Sequence, residues 1–190
     1  MDLLIIFIIA LALAMDCFGL SIANSSVSGL VKPGVPLKTA LLFAMGHLIL
    51  LQLGFWLGGL LRPMFEGMEA WGAFVIFSII GIKMIRGAQK RRPETRVFDI
   101  NSVRVMTILA LATSMDALLA GIALKLVQTQ LVLASVVVTL AAFLFTLAGL
   151  AGGSGLGLPF ARRTTIFGGV FMFIAAFYFL IGFVFLTATG

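Results

Sequence analysis

Two aspartates carry the chemistry this sequence has to offer. Asp16 and Asp116 are the only acidic residues, out of seven, that fall inside long apolar stretches, and each follows a methionine. A carboxylate in the middle of a bilayer costs on the order of 3 kcal/mol or more unless it is paired, protonated or hydrated, so such a residue points to function. At helical spacing Ala12, Asp16, Gly19 and Ala23 share one face, as do Ala112, Asp116, Ala120 and Ala123. Each acid therefore sits on a stripe of small residues that lets another helix approach. Two facing carboxylates suit a divalent cation, because their charge cancels its charge and hard oxygen donors match Mg²⁺, Ca²⁺ or Mn²⁺. Emptied of metal, the pair would repel and take up protons, which makes exchange of protons for metal a natural cycle. The membrane potential opposes cation export by about 2.3 kcal/mol per charge per 100 mV, and two protons moving inward per divalent ion outward would cancel it. The competing reading is that the acids only hydrogen-bond two parts of the protein together.

Around this pair stand weaker candidates. His47 is the single histidine and would serve as a third ligand or a proton carrier, or as a neutral ring bonded between helices. Ser21, Asn24, Thr113 and Ser114 could add oxygen ligands. Lys83 is near enough to a helix end to snorkel, and would otherwise pair with an aspartate; Lys125 reads as a snorkelling residue. Cys17 reads as a small apolar filler and the methionines as packing. Gly152-Gly153-Ser154-Gly155 is similar to the nucleophile segment of rhomboid intramembrane proteases, but the only histidine precedes it, the reverse of their order, so a glycine-rich helix end is the simpler reading.

The elements that must hold these residues are membrane helices. With 190 residues, 62% hydrophobic, and a mean hydropathy of +1.21, the chain lies outside the globular range. Apolar spans of about 20 residues are predicted at 3–23, 37–61, 69–88, 103–126, 131–153 and 165–186. Gly29, Pro33, Gly34 and Pro36 break the chain after the first, and Arg62-Pro63 stops the second. The apolar N-terminus lacks a positive leader and reads as a retained first helix. One cysteine allows no intramolecular disulfide, and with one histidine it cannot build a four-ligand zinc site.

Of the 13 Lys and Arg, all but Arg62 and Lys125 fall toward one face. The positive-inside rule puts that face, with the connection 89–102, in the cytoplasm and both termini outside. The net charge of +6 is thus an orientation signal, and no nucleic-acid partner is implied. Between Leu11–Ala23 and Leu111–Ala123, at an offset of 100, six of thirteen positions are identical. Gly54-x-x-x-Gly58 and Gly149-x-x-x-Gly153 echo each other as well. The expected fold is all-α: six transmembrane helices as two inverted three-helix repeats, 1–88 and 103–190, joined by a basic linker 89–102. An odd number of spans per unit forces the second copy to enter from the opposite side, which places the shared site near the midplane.

With Met15-Asp16-Cys17-Phe18, Thr113-Ser114-Met115-Asp116-Ala117 and Gly81-Ile82-Lys83-Met84-Ile85 assembled, the chain resembles, over nearly its whole length, the MntP family of manganese exporters. The resemblance implies efflux of Mn²⁺ across a bacterial or archaeal inner membrane, kinship with LysE-type exporters, and no enzymatic activity. It carries function onto Asp16, Asp116 and Lys83, the last standing where the family has Arg or Lys. The chain departs from the family at His47, where Gln or Glu is usual, at Leu51, where the family has proline, and at Gly87, where an acid is usual. Trading oxygen donors for imidazole tilts the site toward Zn²⁺, Co²⁺ or Ni²⁺. The expectation is a divalent-cation exporter, manganese first, working by proton antiport. Its partners are lipid, metal ion and protons, it holds no resident cofactor, and an oligomer is compatible with it. Export of another metal or of a small solute, a membrane scaffold, and an intramembrane hydrolase using Ser154 are the alternatives.

Overall fold

A computed structural model describes residues 2–28, 34–90 and 103–188. The chain forms α1 (Asp2–Ser28), α2 (Val35–Leu61), a 3₁₀ turn (Arg62–Phe65), α3 (Glu69–Lys90) and α4 (Val103–Leu126). A helical stretch Leu131–Ala188 follows, and it carries two spans, α5 (Leu131–Gly153) and α6 (Gly155–Gly182). Six helices are long and apolar enough to cross a membrane. Of the predicted linker, 91–102 lies outside the described residues, while Gln89 and Lys90 still belong to α3.

The breaks follow from local chemistry. Gly34 takes a left-handed φ of 88° before α2, with Pro36 in the first turn, where its missing N–H costs nothing. Pro63, lacking a donor, turns the end of α2 into the 3₁₀ turn. α4 closes with Gln128 at φ 57°. The Gln128 N–H bonds Lys125 O at 3.1 Å and the Thr129 N–H bonds Leu124 O at 3.0 Å. That is a Schellman closure with glutamine in the position glycine usually takes. A straight helix of 58 residues would run about 87 Å, and Gly157 breaks it with φ 73° and ψ 166°. The sixth helix starts earlier than the predicted 165, because Pro159 is tolerated close to a helix start and Arg162 and Arg163 are exposed on its surface.

Many large side chains face outward. On α2 Leu37, Leu41, Met45, Ile49, Leu53, Trp56 and Leu60 form an exposed stripe at helical spacing, with Leu61 exposed at its end. Its buried face holds Ala40, Ala44, His47, Gly54 and Gly58 among others. Both faces are apolar or small because lipid solvates one and a neighbouring helix the other, and small residues on the inner face allow close contact. The two helices that carry the aspartates are the most enclosed: 56% of the α1 span window and 50% of the α4 window are buried, against 28–39% in the other four.

The helix pairs meet at glycines. A Cβ on Gly54 would lie 2.0 Å from Leu118 O, and one on Gly58 would lie 2.8 Å from Ile122 O, so α2 and α4 run parallel in near-backbone contact. A Cβ on Gly149 would lie 3.0 Å from Phe18 O, and one on Gly153 would lie 3.1 Å from Ile22 O, giving α5 and α1 the same relation. Ser25 Oγ donates to Leu150 O at 2.9 Å and Ser26 Oγ to Gly153 O at 2.7 Å, tying the ends of that second pair. α3 meets α6 at Gly81 and Gly169, where a Cβ added to either would lie 3.0 Å from the other's carbonyl oxygen. Lys125, read as a snorkelling residue, lies in the last turn of α4 with its Nζ 4.7 Å from the centre of the Phe55 ring, where the aromatic face attracts the cation.

Candidate functional site

Asp16 and Asp116 each lie about midway along their helices, α1 and α4. Asp116 is buried, its side chain 6% exposed, and Oδ1 accepts a hydrogen bond and ion pair from Lys83 Nζ on α3. Lys83 therefore does not simply reach for the membrane surface. Its side chain is 53% exposed, so the stem runs along the outside while the ammonium turns inward. Asp16 is half-buried and has no ion pair among the described residues. A chain of neighbours joins it to Asp116: Cys17, the next residue, touches His47, and His47 touches Ser114, two residues before Asp116.

His47 links three helices. Its Nδ1 is 2.9 Å from Phe43 O, and a carbonyl can only accept, so Nδ1 carries the hydrogen. Ser114 Oγ of α4 lies 3.0 Å from the same nitrogen. That leaves the Nε2 lone pair directed at Cys17 Sγ of α1, 3.5 Å away. Cys17 and Ser114 are fully buried and His47 nearly so. Cys17 is buried in an apolar cluster, as a small filler would be, and is also the histidine's partner. The serine that meets the histidine is Ser114, two residues before Asp116.

The remaining candidates divide. Thr113 Oγ1 donates back to Leu109 O at 2.7 Å and Ala110 O at 3.0 Å. Asn24 Nδ2 donates to Leu20 O at 3.2 Å, two turns from Asp16. These two are satisfied by their own helices and are not drawn to the aspartates. Ser21 is buried beside Gly149 with its hydroxyl unpartnered. Among the described residues no three His, Cys, Asp or Glu side chains converge to hold a metal. Any ion between the aspartates would complete its shell with hydroxyl, carbonyl or water oxygen, which hard divalent cations accept. Thr146 donates to Ala142 O of its own helix at 2.6 Å, and Thr146, Gly149 and Gly153 share the small-residue face of α5 that packs on α1.

The chain as a whole is similar to known proteins. The family model described as "Putative manganese efflux pump" matches residues 31–180. A relative of that description from Methanosphaera stadtmanae is 30% identical over 181 residues, covering 95% of this chain and all of that protein. One from Crocosphaera subtropica is 33% identical over 175 residues, covering 92% and 93%. No solved structure matches.

Proposed function

The chain belongs to the MntP family of manganese efflux pumps, and from that premise we propose that it exports a divalent cation, Mn²⁺ first, in exchange for protons at a site shared by Asp16 and Asp116. The observation that carries the reading is the placement of the two acids. Each lies midway along one of the two most enclosed helices, and the contacts of Cys17 with His47 and of His47 with Ser114 connect their surroundings. Intramembrane acids so placed mark ion pathways. Protons suit the empty state, since two carboxylates in one low-dielectric site repel each other. Two protons inward for one divalent ion outward also removes the opposition of the membrane potential, about 4.6 kcal/mol per 100 mV for a double charge.

The inverted-repeat reading draws support from the glycine contacts. Gly54 on Leu118 and Gly58 on Ile122 correspond, repeat for repeat, to Gly149 on Phe18 and Gly153 on Ile22. Each first helix thus packs on the second helix of the opposite unit, an exchange that an inverted pseudo-twofold would produce. With the basic side cytoplasmic, Asp16 and Asp116 would be reached alternately from the two sides as the units rock.

Purified protein in liposomes tests this directly. Mn²⁺ flux driven by a proton gradient, lost in both Asp16→Asn and Asp116→Asn, is the expected result. Flux surviving either change would sink the shared site. A second reading concerns the ion. The lone pair of His47 Nε2 and the sulfur of Cys17, 3.5 Å apart, favour Zn²⁺, Co²⁺ or Ni²⁺ over Mn²⁺, and the same liposomes loaded with each metal decide between them.

A further inference from the structure

The ion pair at Asp116 has a meaning for selectivity. Lys83 Nζ occupies the carboxylate of the buried aspartate, while Asp16 carries no ion pair among the described residues. With Oδ1 of Asp116 holding the ammonium, a divalent cation could reach only Oδ2, and the two positive charges would then lie within a few Å of each other. Full engagement of Asp116 by a metal ion therefore competes with the ammonium. The backbone near Lys83 is held: Gly81, two residues earlier, is in close contact with Gly169 of α6. The lysine head can leave without moving that contact. Its stem has four rotatable bonds, its side chain is 53% exposed, and the end of α3 at Lys90 is about two turns away.

We infer that Lys83 is a tethered competitor of the transported cation, which occupies Asp116 in the empty protein and selects against monovalent ions. This rests on the paired-aspartate reading. A free Na⁺ or K⁺ brings one charge to a site that already holds one, at the entropic advantage of a covalent tether. A divalent ion brings two charges, engages both carboxylates and displaces the ammonium. When the ion departs, the ammonium returns to Asp116 and hinders rebinding of the metal until protons load the pair. Lys83 thus weakens Mn²⁺ affinity, in exchange for discrimination and release.

The test is Mn²⁺ binding to the purified full chain in detergent, read from the loss of the free-ion paramagnetic resonance signal, with and without Na⁺ or K⁺. Lys83→Gln is expected to bind Mn²⁺ about tenfold tighter, the equivalent of one charge-assisted hydrogen bond no longer competing. It should also become sensitive to Na⁺ and K⁺, and turn over more slowly in liposomes. In Lys83→Ala, added methylammonium should restore the weaker binding. Lys83→Arg, whose guanidinium grips a carboxylate with two donors, should bind Mn²⁺ no tighter than wild type and keep monovalent ions out, so the idea stays testable if neither neutral variant folds. Unchanged or weaker Mn²⁺ binding in Lys83→Gln, or monovalent sensitivity in Lys83→Arg, overturns the tethered competitor. Asp116→Asn separates the two proposals. If it binds Mn²⁺ like wild type, the paired-aspartate site itself is wrong, whereas lost binding there with no change in Lys83→Gln refutes only the role of the lysine.

Discussion

Replacing Gly54 with alanine should damage the site from a distance. The new Cβ would stand 2.0 Å from Leu118 O, and real Cβ contacts essentially never fall under 3.0 Å, so α2 and α4 must part by about 1 Å. Nothing soft can absorb the clash, because the obstacle is a backbone carbonyl. Overpacking of this kind costs about 1–3 kcal/mol. The same separation would stretch the contact between His47 Nδ1 and Ser114 Oγ from 3.0 Å to about 4 Å, past hydrogen-bonding range. An interhelical hydrogen bond in a membrane protein is worth about 0.6 kcal/mol more. The expected loss is therefore about 2–3 kcal/mol, and Asp116, two residues before Leu118, shifts with it. Thermal unfolding in detergent and Mn²⁺ flux in liposomes are the assays, with Gly87→Ala as control, since its Cβ would meet nothing within 4 Å. Gly121→Ala crowds the same interface, 2.3 Å from Leu51 O, so the double variant should cost much less than the sum of the two. Gly54→Ala protein that melts with the wild type and transports normally would refute the close contact and the coupling drawn from it.

The two aspartates should differ in stability although both are needed for transport. Asp116→Asn strands the Lys83 ammonium and is expected to lower stability by about 1 kcal/mol given the half-exposed lysine, seen as a lower melting temperature. Asp16→Asn loses no ion pair among the described residues and should melt as wild type or higher; equal losses in a melting series would contradict the asymmetry. Cys17→Ser and His47→Gln should each reduce Zn²⁺ flux relative to Mn²⁺, because one removes the sulfur and the other the imidazole nitrogen. An unchanged ratio in competition transport would remove both from ion selection. Ser25→Ala deletes the bond to Leu150 O at the end of the α1 and α5 pair, a loss of about 0.6 kcal/mol that chemical denaturation should detect without any change in ion preference.

Much of this protein was legible in its residues because lipid is an unforgiving solvent. Runs of apolar residues near 20 long can only be spans, so the six helices were predictable, and so were the stops at Gly34 and at Arg62-Pro63. The cost of an acid in hydrocarbon singled out Asp16 and Asp116, and an offset of 100 residues paired them. Helical spacing likewise marked the glycine faces that bring α2 to α4 and α5 to α1. What spacing along one helix cannot specify is which residue on another helix stands opposite. Lys83 had two plausible fates within reach of one long stem, and only the packing of α3 against α4 and α6 sends its head to Asp116 instead of to the membrane surface. Cys17 looked like filler because it lies 30 residues from its partner His47, and their contact exists only because the packing of α1 on α5 and of α2 on α4 brings the two side chains together. Periodicity along the chain fixes which face of each helix is buried. The partner across the interface is set by helix rotation and depth, which depend on every close contact in the bundle at once.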